Sequence, residues 1–216
     1  MEKFKTLKDH VYDYIEEKIR CGSLKANERI NENDICSELN ISRTPVREAL
    51  IQLAAEGIIE NQARRGFVIR EMKEEDLAEL YEVIGSLDGL SAMRACSHLT
   101  EKDLNDLAFY VEAMDLAIKT GNFDMYEKNQ YEFHKRYQSK CGNSTLISNL
   151  ENLKSKILKK SYIDDEKGVM REILYKTNEE HRVILQMFRE GKDEELAKYL
   201  FEVHWIPTNA PYDIIV

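Results

Sequence analysis

Two groups of residues in this 216-residue sequence have the types and spacing to do chemistry. The first is Ser42-Arg43-Thr44-Pro45-Val46-Arg47. On a helix Arg43 and Arg47, four residues apart, share one face, while Val46, Leu50 and Leu53 form an apolar stripe on another. A guanidinium is a rigid fork of donors that matches guanine O6 and N7, and hydroxyls such as those of Ser42 and Thr44 bond phosphate oxygens. The second group is His134, His181 and His204, one in each of three predicted helices. Imidazoles from facing helices can hold a metal ion. A lone histidine on an apolar helix face is more often a hydrogen-bonded core residue, and spacing alone leaves both possibilities open. Gln130 stands four residues before His134, on the same helix face.

The elements needed to position the first group are legible. Val11, Ile15 and Ile19 follow a helical period that Gly22 ends, which predicts a helix over about 6–21. Gly22–Ile30 reads as loop, and Asn31 caps a short helix over about 32–39 that Asn40 ends. Ser42 is the expected N-cap of a third helix, with Pro45 in its first turn, where a missing N–H costs nothing. Gly57 closes that helix. The β-prone runs Ile58–Glu60 and Phe67–Arg70 then flank a tip carrying Arg64, Arg65 and Gly66. Helix, short helix, tight turn, helix and basic hairpin describe a winged helix-turn-helix ending near residue 72, whose second helix enters the major groove. Arg64 and Arg65 would reach the adjacent minor groove or backbone.

The remainder, residues 73–216, shows no strand-like stretch of any length. Helices are expected over roughly 75–98, 101–120, 123–140, 144–162, 168–190 and 193–205. Thr100 with Asp103 forms a capping box, and Gly121, Gly142, Gly191 and Pro207 supply the stops. The fold class is therefore mainly α: an N-terminal winged helix-turn-helix and a C-terminal all-α bundle of about six helices.

Composition narrows the class of function. The chain carries a net charge of −9, which argues against coating nucleic acid by bulk charge. The charge is uneven: residues 1–72 hold 12 Lys/Arg against 13 Asp/Glu, and residues 40–70 hold five Arg against three Glu. A short reader of double-stranded DNA attached to an acidic module fits that distribution. No apolar run is long enough to span a bilayer, and residues 1–8 lack the apolar core of a secretory signal. The four cysteines, Cys21, Cys36, Cys96 and Cys141, lie far apart and are expected to be reduced thiols, which points to the cytoplasm.

Residues 42–50, Ser-Arg-Thr-Pro-Val-Arg-Glu-Ala-Leu, followed by Leu53, Glu56-Gly57 and Arg65-Gly66-Phe67-Val68, closely resemble the winged-helix signature of GntR-family regulators. The resemblance implies that Arg43, Thr44 and Arg47 read operator DNA and that the wing carrying Arg64, Arg65 and Gly66 enters the minor groove. Asn33 stands where relatives often have a basic or longer polar residue. Phe133-His134, His181 with the Val-Ile-Leu that follows, Gly191-Lys192-Asp193 and His204 look like the FCD ligand-binding domain of the FadR-like branch. In metal-binding members of that branch, three histidines and an Asp or Asn four residues before the first hold a divalent ion such as zinc or nickel. Here Gln130 occupies the fourth position, and Ile84 stands where many members carry an effector-clamping arginine. Arg94, Tyr137 and Arg171 are the polar residues that could meet a small-molecule effector.

The sequence thus reads as a ligand-responsive repressor, not an enzyme, acting as a homodimer on a near-palindromic operator. The alternatives are a metal-dependent hydrolase using the histidines and a protein-interaction module. The hydrolase lacks an evident general base, since Gln130 cannot serve as one.

Overall fold

The structure, a computed structural model, describes residues 5–157 and 169–206. The helix expected over 144–162 ends at Lys154, with residues 155–157 in a turn; the start of the 168–190 helix, the stop at Pro207, the charged run around Asp164 and the apolar tail Ile214-Ile215-Val216 lie outside the described residues. The chain forms two compact units, each with its own core: among the described residues the first holds 5–77 and 152–157, the second 78–151 and 169–206.

In the first unit, α1 spans Leu7–Arg20, α2 Glu32–Leu39 and α3 Arg43–Ala55, and strands β1 (Ile59–Gln62) and β2 (Gly66–Ile69) pair antiparallel as the wing. Thr6 and Asp9 form a reciprocal capping box that starts α1. Asn40 ends α2 in the left-handed conformation (φ 53°), which an Asn side chain tolerates. Val11, Ile15, Ile19, Ile35, Val46, Leu50, Leu53, Ile59 and Phe67 close over one another as the core of this unit.

Two local expectations change. The Gly22–Ile30 stretch is not wholly loop: Asn27 N–H donates to the Ile69 carbonyl, Ile69 N–H to Glu28 and Ile30 N–H to Phe67, so residues 27–30 line the free edge of β2. An otherwise unpaired edge is thereby covered. Ser42 is the N-cap of α3 by backbone conformation, yet its hydroxyl makes no capping hydrogen bond. Pro45 is the third helical residue and has no N–H for that hydroxyl to accept from.

The second unit holds α4 (Glu74–Ala95), a 3₁₀ turn at Cys96–His98, α5 (Glu101–Thr120), α6 (Phe123–Gln138), α7 (Ser144–Lys154), α8 (Val169–Glu190) and α9 (Asp193–Tyr199). The expected helix over 193–205 is interrupted: beyond α9 the chain widens into a π-helical turn over Leu200–His204, where Trp205 N–H donates to the Leu200 carbonyl at 3.0 Å. Such turns re-aim side chains and are frequent at functional sites. Leu107, Val111, Met114, Tyr126, Phe133, Tyr137, Leu174, Ile184, Leu196 and Leu200 pack the core of the bundle.

Helix α4 meets the segment after α8 at very close range. A Cβ added at Gly89 would stand 2.7 Å from the Ala197 carbonyl oxygen, and one at Gly85 would stand 2.9 Å from Trp205 Cβ. Only glycine permits that approach, which brings Trp205 against the middle of α4.

Asp103 ties α5 to α6. Its carboxylate accepts from the Thr100 N–H and hydroxyl at 2.9 and 2.6 Å and pairs with Lys140 at 3.0 Å. The Thr100 hydroxyl, then its backbone N–H and the Lys140 ammonium, hold the Asp103 carboxyl well below the usual carboxylate range. A depressed folded-state pKa stabilises the fold above the unfolded value and loses that stabilisation as pH falls through the folded one. Stability is therefore expected to decline below about pH 4. Urea titrations from pH 7 to pH 2 should show Asp103→Asn with a shallower acid limb than the wild type; parallel limbs would remove Asp103 from the account.

Candidate functional site

The candidate DNA-reading surface is the exposed face of α3. Val46, Ala49, Leu50 and Leu53 are buried on one side, which turns Arg43, Thr44, Arg47, Glu48 and Ile51 to solvent, where they line an open concavity. Ser42 is also exposed at the helix start. Its hydroxyl, freed from capping by Pro45, can meet a phosphate together with the open N–H groups of the first turn. Arg43 and Arg47 converge on one acid that the sequence reading had not singled out. Glu32, the first residue of α2, accepts from Arg43 Nε at 3.1 Å and from Arg47 Nη1 at 3.5 Å.

At the wing, Arg64 holds a left-handed backbone (φ 67°) in the turn closed by Arg65 N–H donating to the Gln62 carbonyl. That conformation is costly for a long side chain and is found where a site requires it; it leaves Arg64 exposed at the tip. Gly66 follows, also with positive φ. Arg65 is differently placed: its guanidinium donates to the Asn27 carbonyl at 2.8 Å and to Gln62 Oε1 at 2.9 Å, bracing the wing against the 27–30 segment.

In the second unit the three histidines meet. His134 comes from α6, His181 from α8 and His204 from the π-helical turn, where it extends the buried Leu196–Leu200 stripe by four residues. All three are buried. His134 Nε2 lies 3.3 Å from His181 Nε2 and 3.2 Å from His204 Nε2.

The far sides of two rings settle what faces the centre. His134 Nδ1 is 3.1 Å from Asp88 Oδ2, and His204 Nδ1 is 3.0 Å from Glu180 Oε2. With the proton on Nδ1, donating to the carboxylate, each ring turns an Nε2 lone pair inward. Two lone pairs 3.2 Å apart repel unless a cation stands between them, either a proton or a metal ion. Metal–nitrogen bonds of about 2.0–2.1 Å to tetrahedral ligands imply nitrogen–nitrogen edges of about 3.3–3.4 Å. The two edges at His134 match that figure, the three ligand nitrogens all lie within 4.8 Å of one another, and carboxylate–histidine pairs are the usual outer support of such ligands. The donor set therefore fits a divalent ion.

Asp88 is the hub of this region. It is fully buried on α4 and accepts from Gln138 Nε2 (2.6 Å), the Tyr137 hydroxyl (2.8 Å), Trp205 Nε1 (2.9 Å) and Ser91 Oγ (3.2 Å), besides His134. Burial first, and the Asp88 charge second, push the Tyr137 phenol well above its ordinary pKa, so it stays a donor. The sequence reading missed Asp88, Glu180, Gln138 and the polar role of Trp205. One signal was available: Leu77, Tyr81, Ile84, Asp88, Ala92 and Ala95 form a buried stripe in which Asp88 is the single acid.

Of the effector candidates, Tyr137 stands in this network, Arg94 is exposed with its Nε donating to the Cys141 carbonyl, and Arg171 Nη2 lies beside Gly121 at the end of α5. Gln130 sits one turn before His134, partly buried, and Ile84 is part of the core.

Comparison with known proteins agrees with both halves. The family model for "Bacterial regulatory proteins, gntR family" matches residues 7–69, and the FCD domain model matches residues 79–205. The chain belongs to the GntR family of transcriptional regulators and carries an FCD domain. The regulator is 27% identical over 176 residues to the Nta operon transcriptional regulator of Aminobacter aminovorans, covering 82% of this chain and 80% of that one. It is 33% identical over 118 residues to the gluconate operon transcriptional repressor of Bacillus subtilis, covering 55% and 48%. Among solved structures, E. coli McbR/YncC shares the fold with a TM-score of 0.78 over 97% of this chain and 98% of that one, at 19% identity. Lar, which controls expression of the Listeria monocytogenes agr system, superposes with a TM-score of 0.61 at 25% identity, covering 97% and 99%. These relatives are regulators, not enzymes. Among the described residues no helix is long and apolar enough to cross a membrane.

Proposed function

We propose that this regulator is a ligand-responsive repressor that binds a near-palindromic operator as a homodimer and senses a divalent metal, alone or with a small-molecule effector, at the histidine cluster. The convergence of three imidazole Nε2 atoms, two of them backed by buried carboxylates, carries the sensing part of the proposal. His134, His181 and His204 would hold the ion, with Gln130 the remaining side chain proposed for it. Bound there, zinc or nickel would supply positive charge and an open coordination position for an anionic effector.

What the chain's own residues do follows from the geometry. Asp88 and Glu180 fix the tautomers of His134 and His204, and Trp205 couples the ring of residues to α4 through Asp88. Since α4 begins at Glu74, just past the wing, a change in this packing can bias the DNA heads only if the ligand prefers one arrangement. The homodimer is supported by Phe109 and Leu116, seven residues apart on α5 and 65% and 53% exposed, an apolar face that a second copy would cover. Repression is supported by relatives named as operon repressors.

The sensing proposal is tested by elemental analysis of protein purified without chelator. About one divalent ion per chain is expected for the wild type, and almost none for the His134→Ala, His181→Ala double variant. A double variant that retains the full metal content would reject the site.

A further inference from the structure

We infer that Glu32 is a specificity-determining residue of the DNA-reading surface: its one carboxylate holds both recognition arginines and sets how the pair presents itself to a base sequence. The inference rests on the DNA-reading role of α3 and goes beyond it.

The geometry gives each oxygen a separate task. Oε2 accepts from Arg43 Nε at 3.1 Å, and Oε1 accepts from Arg47 Nη1 at 3.5 Å. The two arginines come from successive exposed turns of α3, whereas the acid comes from the first position of α2, directly after the Asn31 N-cap. A carboxylate is favoured there by the unpaired N–H groups of the helix start. Glu32 is also shielded: its side chain is 14% exposed, against 64% for Arg43 and 58% for Arg47. A sheltered anchor with two exposed cations leaning on it differs from a pair of flexible surface partners, which contribute little.

Two consequences follow. An arginine restrained near its working rotamer loses less side-chain entropy when it engages a guanine edge, so base reading gains. The same negative charge stands close to where phosphates would run, so binding to any duplex, which depends on the count of neutralised phosphates, is weakened. Both effects widen the gap between selected and random DNA. Reach matters for the first effect, and charge alone for the second.

The test separates them. Selection from a random duplex library by the wild-type chain supplies the probe, and affinities for that duplex and a shuffled duplex of equal length are read by fluorescence anisotropy at two salt concentrations. Glu32→Asp keeps the charge and withdraws it by one methylene. Its affinity for the shuffled duplex is expected to stay at the wild-type value while affinity for the selected duplex falls about tenfold. Glu32→Gln should bind the shuffled duplex about threefold more tightly, with a salt slope steeper by about 1, and bind the selected duplex no better than wild type. Glu38→Gln, which removes an exposed charge at the far end of α2, paired with Lys18 and away from the exposed face of α3, should shift both affinities in the same direction and leave their ratio within about twofold. Should Glu32→Asp behave as wild type, or Glu32→Gln as Glu38→Gln, Glu32 is one surface charge among others and the inference is overturned. A wild-type chain that enriches no sequence overturns the DNA reading itself, before any variant is compared.

Discussion

Replacing Arg43 and Arg47 together with alanine is expected to abolish sequence-specific DNA binding while leaving the fold untouched. Each well-placed arginine contributes about 1–3 kcal/mol of base discrimination, roughly tenfold to more than hundredfold in affinity. In a homodimer each substitution acts at both half-sites, so even the single variants should fall by two orders of magnitude or more. Both side chains are mostly solvent-exposed, and among the described residues the ion pairs lost are the two to Glu32, a carboxylate that the open N–H groups at the start of α2 still favour, so the thermal midpoint should move little. Anisotropy or gel-shift titration against the selected duplex, alongside calorimetry, makes the comparison. Affinity within about threefold of wild type for the double variant would mean that another face of the molecule meets DNA.

The largest effect on stability is expected at Asp88. Alanine there would take one buried acceptor from Trp205 Nε1, the Tyr137 hydroxyl, Gln138 Nε2 and His134 Nδ1 at once, leaving the Tyr137 hydroxyl and His134 Nδ1, 2.7 Å apart, to each other. Unsatisfied buried polar groups cost about 1–3 kcal/mol each, and partial rearrangement keeps the sum near 3–5 kcal/mol. That is a large share of the roughly 5–15 kcal/mol that holds a natural domain together. Urea unfolding should show the midpoint lowered with an unchanged slope. The near-isosteric Asp88→Asn keeps one acceptor oxygen and should lose less stability. It no longer enforces the His134 tautomer, so on the proposed sensing role metal affinity should drop about 10–100-fold. A cost below about 1 kcal/mol for Asp88→Ala would show that the network contributes little to the fold.

Much of the first unit could be read from local rules. The α1 period, the Asn40 stop, the apolar stripe of α3 and the polar tip of the wing are properties of residues within a few positions of one another. Two details escaped that reading. The Ser42 hydroxyl makes no capping hydrogen bond, and Pro45, three residues on, removes one of the two N–H groups that a cap can accept from. Whether residues 27–30 were loop depended on β2 having an edge to offer them.

The histidine cluster shows the boundary more sharply. Period and punctuation place His134, His181 and His204 on separate helices of a bundle, and their spacing leaves both metal ligand and core residue open. What brings the three Nε2 atoms together is packing: the glycine contacts that seat Trp205 against α4, and the π-helical turn that ends the chain's last described helix. The orientation of the rings is decided by Asp88, 46 residues away in sequence from His134, and by Glu180, 24 from His204. The residues and the faces they occupy were in the sequence, because helical period and capping are short-range. The lone pairs that meet and the arginines that share one carboxylate were decided only by tertiary structure, because no local pattern encodes which distant side chain will supply a buried partner.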